Sequence, residues 1–170
     1  MTYTPFFIHG EARPGRWLIT CDHATNVVPP SVGGGSLGLP REDMERHIAY
    51  DVGAYSVAQH LGELLNAPVI ASNFSRLVID PNRGEDDPTL VMRLNDGSII
   101  PANRHIGAAE IERRKNIYHR PYHAAIREAI EAVVAAGDTP VLVSIHSFTP
   151  RFKGRAPRPW HVGQIGRAHV

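Results

Sequence analysis

The strongest candidates for functional residues in this sequence are two histidines, each of which follows an apolar run. His23 follows the run at residues 17–20, and His146 follows the run at residues 141–144. Each run is typical of a buried strand, so both imidazoles are predicted to lie at the carboxyl ends of strands. That edge of an open α/β sheet is where functional groups collect.

A carboxylate, Asp51, is expected to complete a metal site with these two imidazoles. Two histidines and one aspartate form the donor set of a catalytic zinc site that keeps one position open. The sequence therefore predicts Zn²⁺ or another divalent metal held by His23, Asp51 and His146, and metal-assisted hydrolysis. Hydrogen bonding within a loop is the alternative for each histidine. Because we place Asp51 in the first turns of a helix, capping of that helix is the alternative for the aspartate.

Arg76 and Arg83 are candidates for binding an acidic substrate, because a guanidinium group pairs with a carboxylate through two parallel hydrogen bonds. Asn82 is included in the predicted substrate site. Asp80 and Asn82 lie between the two arginines in the sequence and could hold them in place. A structural Arg–Asp network around the turn at Pro81 is the alternative.

Four further polar residues are candidates for a place near this site. Asn26 follows His23 by three residues; since an amide is a poor zinc ligand, we expect it to contact substrate or to hydrogen-bond within the loop. His119 and His123 have metal-ligand spacing on a helix, but Pro121 lies between them, so packing or substrate contact is favoured. Asp22 is expected on the opposite side of the strand from His23, as a group that supports a ligand.

Strands that alternate with long helices predict a three-layer α/β/α fold with a mostly parallel (mixed) sheet and helices on its faces. The Asp-Gly pair at 96–97 predicts a hairpin outside this sheet. Pro121 is expected to break or kink the longest helix. The predicted elements are strands at 6–8 (or an arm), 16–21, 69–72, 141–144 and 160–163, and helices from His47 or Ala49 to Leu65 and from Ala108 to Ala136.

The composition favours one globular domain and excludes several classes of partner. The chain has 170 residues, 42% of them apolar and 21% charged, as in ordinary globular domains. One cysteine allows no disulfide framework and no secretory signal is visible, so a cytoplasmic location is expected. A net charge of +1 argues against nucleic acid and membrane partners. We expect a monomer, and binding of polyanions through Arg151, Lys153, Arg155 and Arg158 is the weakest alternative.

Five motifs, taken in their order along the chain, resemble those of the N-formylglutamate amidohydrolase family. The resemblance implies an α/β hydrolase of the phosphorylase/hydrolase type, similar in fold to zinc-dependent carboxypeptidases and the aspartoacylase group. It further implies hydrolysis of an N-acyl amide, such as N-formyl, on an acidic amino acid. The motifs are Cys21-Asp22-His23-Ala24-Thr25-Asn26 with Pro29-Pro30, the segment 47–54, Ser75-Arg76-Leu77-Val78-Ile79-Asp80-Pro81-Asn82-Arg83, Tyr122-His123, and Ser144-Ile145-His146-Ser147-Phe148.

The same resemblance leads us to expect a chain that is truncated at its carboxyl end. Family sequences continue past residue 163 and are expected to add a strand with a glutamate that acts as general base, so the catalytic base of this chain is unknown. Residues 1–164 are predicted to form one domain of the family. Residues 165–170 resemble the translation of an adapter oligonucleotide and are predicted to be a non-native tail. The alternative function is a folded, inactive fragment that retains metal or anion binding.

Overall fold

A four-stranded sheet forms the centre of the structure, a computed structural model that describes residues 3–166. Its strands lie in the order β1-β3-β2-β6, while β4 and β5 pair with each other in a separate hairpin. The strands are β1 (Phe6–His9), β2 (Trp17–Cys21), β3 (Val69–Ser72), β4 (Leu94–Asn95), β5 (Ser98–Ile99) and β6 (Val141–Ser144). The α-helices are α1 (Arg41–Met44), α2 (Ala54–Leu64), α3 (Ala108–Arg114) and α4 (Arg120–Ala135), and a 3₁₀ turn spans Pro101–Asn103.

The central strand β2 is parallel to both of its neighbours, β3 and β6. Strand β1 runs antiparallel to β3 at one edge, so the sheet is mixed. The carboxyl ends of β2, β3 and β6 therefore meet at one edge, as the sequence predicts. The α/β fold is confirmed.

Helices cover both faces of the sheet because side chains alternate along each strand. Ile19 and Val69 pack with Ala58 of α2. Ile70 points to the opposite face, where it packs with Tyr122 of α4. These contacts establish three layers. After β2, Asp22 contacts Tyr122 of α4, while His23 contacts Asp51 in the turn before α2.

Helix α2 begins at Ala54, later than the predicted start at His47 or Ala49. Gly53 has φ of 79°, a left-handed conformation that cannot continue a helix in the amino-terminal direction. Asp51 consequently lies in the turn before the helix, and the prediction that it occupies the first helical turns is wrong. Its backbone N–H donates to the carbonyl oxygen of His23 at 3.0 Å, which ties this turn to the end of β2.

The predicted interruption at Pro121 takes the form of a π-helical segment. Lys115–His119 connects α3 to α4, and Pro121 lies in the first turn of α4. Proline has no N–H to donate to the preceding turn, and wider π turns occur where the regular ladder is broken. The helical course therefore continues to Ala135 without a sharp end.

Two expectations about the carboxyl-terminal part are wrong. Strand β6 is half-exposed rather than buried, because within residues 3–166 it lies at the edge of the sheet with β2 as its one neighbour. Residues 160–163 form no strand, and Trp160 and Val162 are exposed.

Arg158, one of the basic residues considered for polyanions, lies over the ring of Phe152 at 4.6 Å. The last four residues of the predicted tail, 167–170, lie outside the described residues.

The hairpin prediction is confirmed, since Asp96 and Gly97 both have positive φ between β4 and β5. This pair of positive angles is the geometry that an Asp-Gly turn favours. Within residues 3–166, none of the helices combines the length and the apolar character needed to cross a bilayer.

Candidate metal centre

The structure brings His23, Asp51 and His146 together at the carboxyl edge of the sheet. One ligand atom from each lies within 4.8 Å of the other two. His23 follows β2, His146 follows β6, and Asp51 is held beside them by its backbone bond to His23. Parallel pairing of β2 with β6 therefore joins two histidines that are far apart in sequence.

His23 is enclosed by carboxylates on both sides of its ring. Its Nε2 lies 2.7 Å from Asp80 Oδ1, and both side chains are almost fully buried. Among the described residues Nδ1 makes no hydrogen bond, although it lies 3.3 Å from Asp51 Oδ2. The ring thus has one nitrogen committed to Asp80 and one directed at the cluster.

His146 has a similar pair of carboxylates in a more open position. Its Nδ1 bonds Asp51 Oδ2 at 2.9 Å, and its Nε2 lies 3.2 Å from Asp22 Oδ2. The side chain remains 32% exposed. Ser144 Oγ lies 3.1 Å from the same Nε2 and also reaches Asp22. Both histidines therefore present Nδ1 to Asp51.

The charges of these groups are strongly coupled. Burial raises the pKa of Asp51, but the imidazoles of His146 and His23 hold it well below its usual range. Burial also raises the pKa of Asp80, and the opposing effects of His23 and Arg76 bring it down to about 2. The contacts with Asp22 and Asp51 raise the pKa of His146 to about 9. Without a metal, a proton therefore stays on His146 at neutral pH.

The donor set fits a small divalent cation. Two ligands of a tetrahedral zinc ion lie about 3.3 Å apart, close to the separation of His23 Nδ1 and Asp51 Oδ2. Within residues 3–166, His23 Nδ1 has only the 3.3 Å approach of Asp51, which is too poorly aligned for a hydrogen bond. A buried ring nitrogen left in this state is costly unless something binds it. Asp80 and Asp22 occupy the Nε2 positions, which is how carboxylates commonly orient metal-binding histidines.

The two candidate arginines have different surroundings. Arg76 lies 2.9 Å from Asp80 Oδ2 and 3.4 Å from Asp51 Oδ1, so it belongs to the Arg–Asp network. Arg83 is 45% exposed, and its nearest carboxylates, Asp80 and Asp87, lie at 3.9 and 3.8 Å. Arg83 is therefore the freer of the two guanidinium groups.

A cleft of about 610 Å³ lies on the α4 side of the sheet, and it reaches the centre only through Asp22, which contacts His146. Asn82 and Arg83 line it together with Asp22 and Ser144. Asn82 also donates its backbone N–H to Asp80 Oδ1 at 2.9 Å. The cleft thus connects the predicted substrate-binding segment with the carboxylate that contacts His146.

The remaining polar candidates bond to backbone. Asn26 Nδ2 donates to the carbonyl of Met44 at 2.9 Å, which is the loop hydrogen bond considered above. His119 and His123 each place Nε2 2.9 Å from a carbonyl oxygen of the loop after Asp80, that of Arg83 and that of Pro81. A substrate role for Asn26 stays a prediction.

A model of the N-formylglutamate amidohydrolase family matches residues 15–169. The chain belongs to this family. It is similar to gene product Atu2144 from Agrobacterium tumefaciens, with 35% identity and a TM-score of 0.85 over 90% of this chain and 60% of that chain. A search of curated proteins finds no match.

A second solved structure with a similar fold is an N-formylglutamate amidohydrolase from Ralstonia eutropha JMP134. It has 24% identity and a TM-score of 0.59, over 92% of this chain and 63% of that chain. The 170-residue chain therefore spans less than two thirds of the length of either solved protein.

Sequence reasoning missed the partnerships of Asp80 and Tyr122. Asp80 was considered a support for the arginines, but its shortest contact with a side chain is that with His23. Tyr122 lies fully buried in the core, yet its hydroxyl donates to Asp22 Oδ1 at 2.6 Å. The available signals were a carboxylate directly after the apolar run 77–79 and a residue with a polar tip on a buried helical face.

Proposed function

We propose that this family member is a metal-dependent amidohydrolase that cleaves an N-acyl amide, such as N-formyl, on an acidic amino acid. The single observation that carries the metal dependence is the convergence of His23, Asp51 and His146 at one sheet edge. The family match to the N-formylglutamate amidohydrolases supports the substrate class.

Three residues of the centre would bind the cation, and two carboxylates would orient the histidines among them. His23 Nδ1, His146 Nδ1 and an Asp51 oxygen would hold it, with zinc as the expected ion. A divalent cation bound there polarises an acyl carbonyl and lowers the pKa of water. With the cation bound, Asp80 would accept the Nε2 proton of His23 and Asp22 that of His146, and each Nδ1 would give its lone pair to the metal.

The substrate carboxylate is assigned to Arg83, with Asn82 beside it. Both line the cleft next to Asp22, and Arg83 is only loosely paired within the protein. A guanidinium group in that position can take a carboxylate through two parallel hydrogen bonds. Arg76 would act differently, by balancing the charges of Asp51 and Asp80 below the reacting groups.

A second candidate is a folded chain that binds the metal without turnover. It is favoured because the carboxylates near the centre are already paired with cationic side chains. Within the described residues, Asp22, Asp51 and Asp80 all contact an imidazole, and Glu85 of the cleft pairs with Arg120 at 2.7 Å. A general base must be able to reach and accept the proton of the attacking water, and none of these four is free of a cationic partner.

The test is hydrolysis by chelator-treated protein with and without added zinc. We expect zinc-dependent release of formate from N-formyl-L-glutamate, and much slower release from N-formyl-L-leucine. Arg83→Met should raise KM for the first substrate, whereas Arg104→Met, a change at an exposed arginine elsewhere, should leave KM unchanged. Stoichiometric zinc binding without hydrolysis would favour the second candidate. Absence of zinc binding would overturn both.

A further inference from the structure

Tyr122 is a buried tyrosine whose hydroxyl points at the metal centre rather than at the core around it. Its ring is fully buried and packs with Ile70 and Ala125 between α4 and the sheet. A buried tyrosine hydroxyl needs a hydrogen-bond partner. The partner here is Asp22 Oδ1, at 2.6 Å.

Asp22 divides its two carboxylate oxygens between Tyr122 and His146. Oδ1 accepts from the tyrosine, while Oδ2 lies 3.2 Å from His146 Nε2 and accepts from Ser144 Oγ at 3.4 Å. An aspartate carboxylate rotates readily about its last torsion when no partner fixes it. The short bond from a tyrosine that cannot move within its packing therefore determines where Oδ2 points.

His146 depends on such a partner more than His23 does. His23 is enclosed by protein on all sides, whereas about a third of the His146 side chain faces solvent. His146 also follows β6, which is an edge strand in the described part of the chain. Packing alone leaves this ring more freedom, so the groups that hold its Nε2 set the direction of Nδ1.

We propose that Tyr122 is a positioning residue that orients the metal-binding His146 by fixing the Asp22 carboxylate. This inference rests on the proposed metal-binding function. Tyr122 does not touch the metal or the substrate in this account. Its hydroxyl donates to Asp22, and Asp22 in turn accepts from His146 Nε2.

The chain offers a matched control in Tyr118. This tyrosine is also fully buried, lies one helical turn earlier, and bonds Ser31 through its hydroxyl at 2.5 Å. Tyr122→Phe and Tyr118→Phe each remove one buried hydroxyl and keep the ring. Both are expected to lower the stability of metal-free protein, Tyr122→Phe more because its partner is a carboxylate, and only Tyr122→Phe should affect the metal.

The experiment measures zinc affinity by competition with a chelator for the wild type, both tyrosine variants and Asp22→Asn. Changes in groups that orient metal ligands cost about 10- to 100-fold in affinity, so we expect a loss of about tenfold for Tyr122→Phe and at least that for Asp22→Asn. Tyr118→Phe should stay within about twofold of the wild type, and Tyr122→Phe should add less than about twofold in the Asp22→Asn background.

Each result separates this inference from the function on which it rests. Wild-type protein that binds no zinc would overturn the proposed function and the inference with it. Zinc binding by the wild type with equal affinities for the two tyrosine variants would overturn the inference alone. If Tyr122→Phe failed to fold, Asp22→Asn would decide, since unchanged affinity in that variant would contradict the role of the whole Tyr122–Asp22–His146 connection.

Discussion

The two histidines of the centre occupy equivalent places in the sequence and different places in the protein. His23 is 1% exposed and its partner Asp80 is fully buried, whereas His146 is 32% exposed at the end of an edge strand. The two side chains are nevertheless joined through Asp51. The buried half of the site, His23, is therefore held by close packing as well as by its bond to Asp80, whereas the solvent-facing half, His146, depends mainly on the hydrogen bonds to its ring.

The largest predicted effect is a difference in stability between variants of the two histidines. His23→Ala should lower the free energy of unfolding of metal-free protein by about 3 kcal/mol, because it leaves the buried Asp80 without its shortest partner. His146→Ala should cost about 1 kcal/mol or less, since its ion pairs are partly solvated. Urea denaturation of the two variants measures both values. Equal losses would remove the proposed distinction between the halves.

A smaller effect is expected from the arginine that supports the buried half. Arg76→Gln should lower the free energy of unfolding by about 2 kcal/mol, because Asp80 and Asp51 lose a charged hydrogen-bond donor. Arg83→Gln is the matched control, and its cost should be below about 0.5 kcal/mol because the side chain is largely solvated. A reversed order in denaturant titrations would mean that Arg83 is the structural arginine.

The solvent-facing half should respond to pH. Because the pKa of His146 is raised from 6.5 to about 9, folded protein binds the proton more tightly than unfolded protein does. The stabilisation is therefore complete below pH 6.5 and is lost as pH rises to about 9. Zinc affinity should rise over the same window, since the proton must leave before the nitrogen can bind metal.

Melting temperatures of metal-free protein and chelator competition across this window measure the two trends. His146→Ala should weaken both, although His23, whose pKa is also raised by Asp51 and Asp80 against the effect of its burial, contributes in the same direction. A melting temperature that stays constant or rises over this window would contradict the assignment.

The smallest expected effect belongs to Asn26, in the loop after His23. Asn26→Ala removes the hydrogen bond to Met44 and should cost about 1 kcal/mol of stability. We expect KM for N-formyl-L-glutamate to stay unchanged, because the amide is already bonded to backbone. A raised KM with unchanged stability would instead support the predicted contact with substrate.

The sequence predicts the scaffold of this site better than its connections. Apolar runs identify β2 and β6, and parallel pairing then requires His23 and His146 to share an edge. The position of Asp51 depends on a backbone reversal at Gly53, which apolar periodicity across residues 47–65 conceals. The edge position of β6 is a tertiary property, so its half-exposed character does not follow from a run of apolar residues.

The contacts of Asp80 and Tyr122 are still harder to predict from the sequence. Asp80 and His23 are separated by 57 positions, and Tyr122 and Asp22 by 100. A polar group beside an apolar run indicates that some partner exists, because buried polar groups need hydrogen bonds. The identity of that partner follows only from the packing of the loop after Ile79, and of α4, against the sheet.

The central claim is that His23, Asp51 and His146 hold one divalent cation. The most direct measurement is an anomalous difference map at the zinc absorption edge, from crystals grown with zinc. We expect one strong peak about 2.0–2.2 Å from Nδ1 of each histidine and from an Asp51 oxygen. A map without a peak among these three side chains, or with zinc bound by other residues only, would contradict the account.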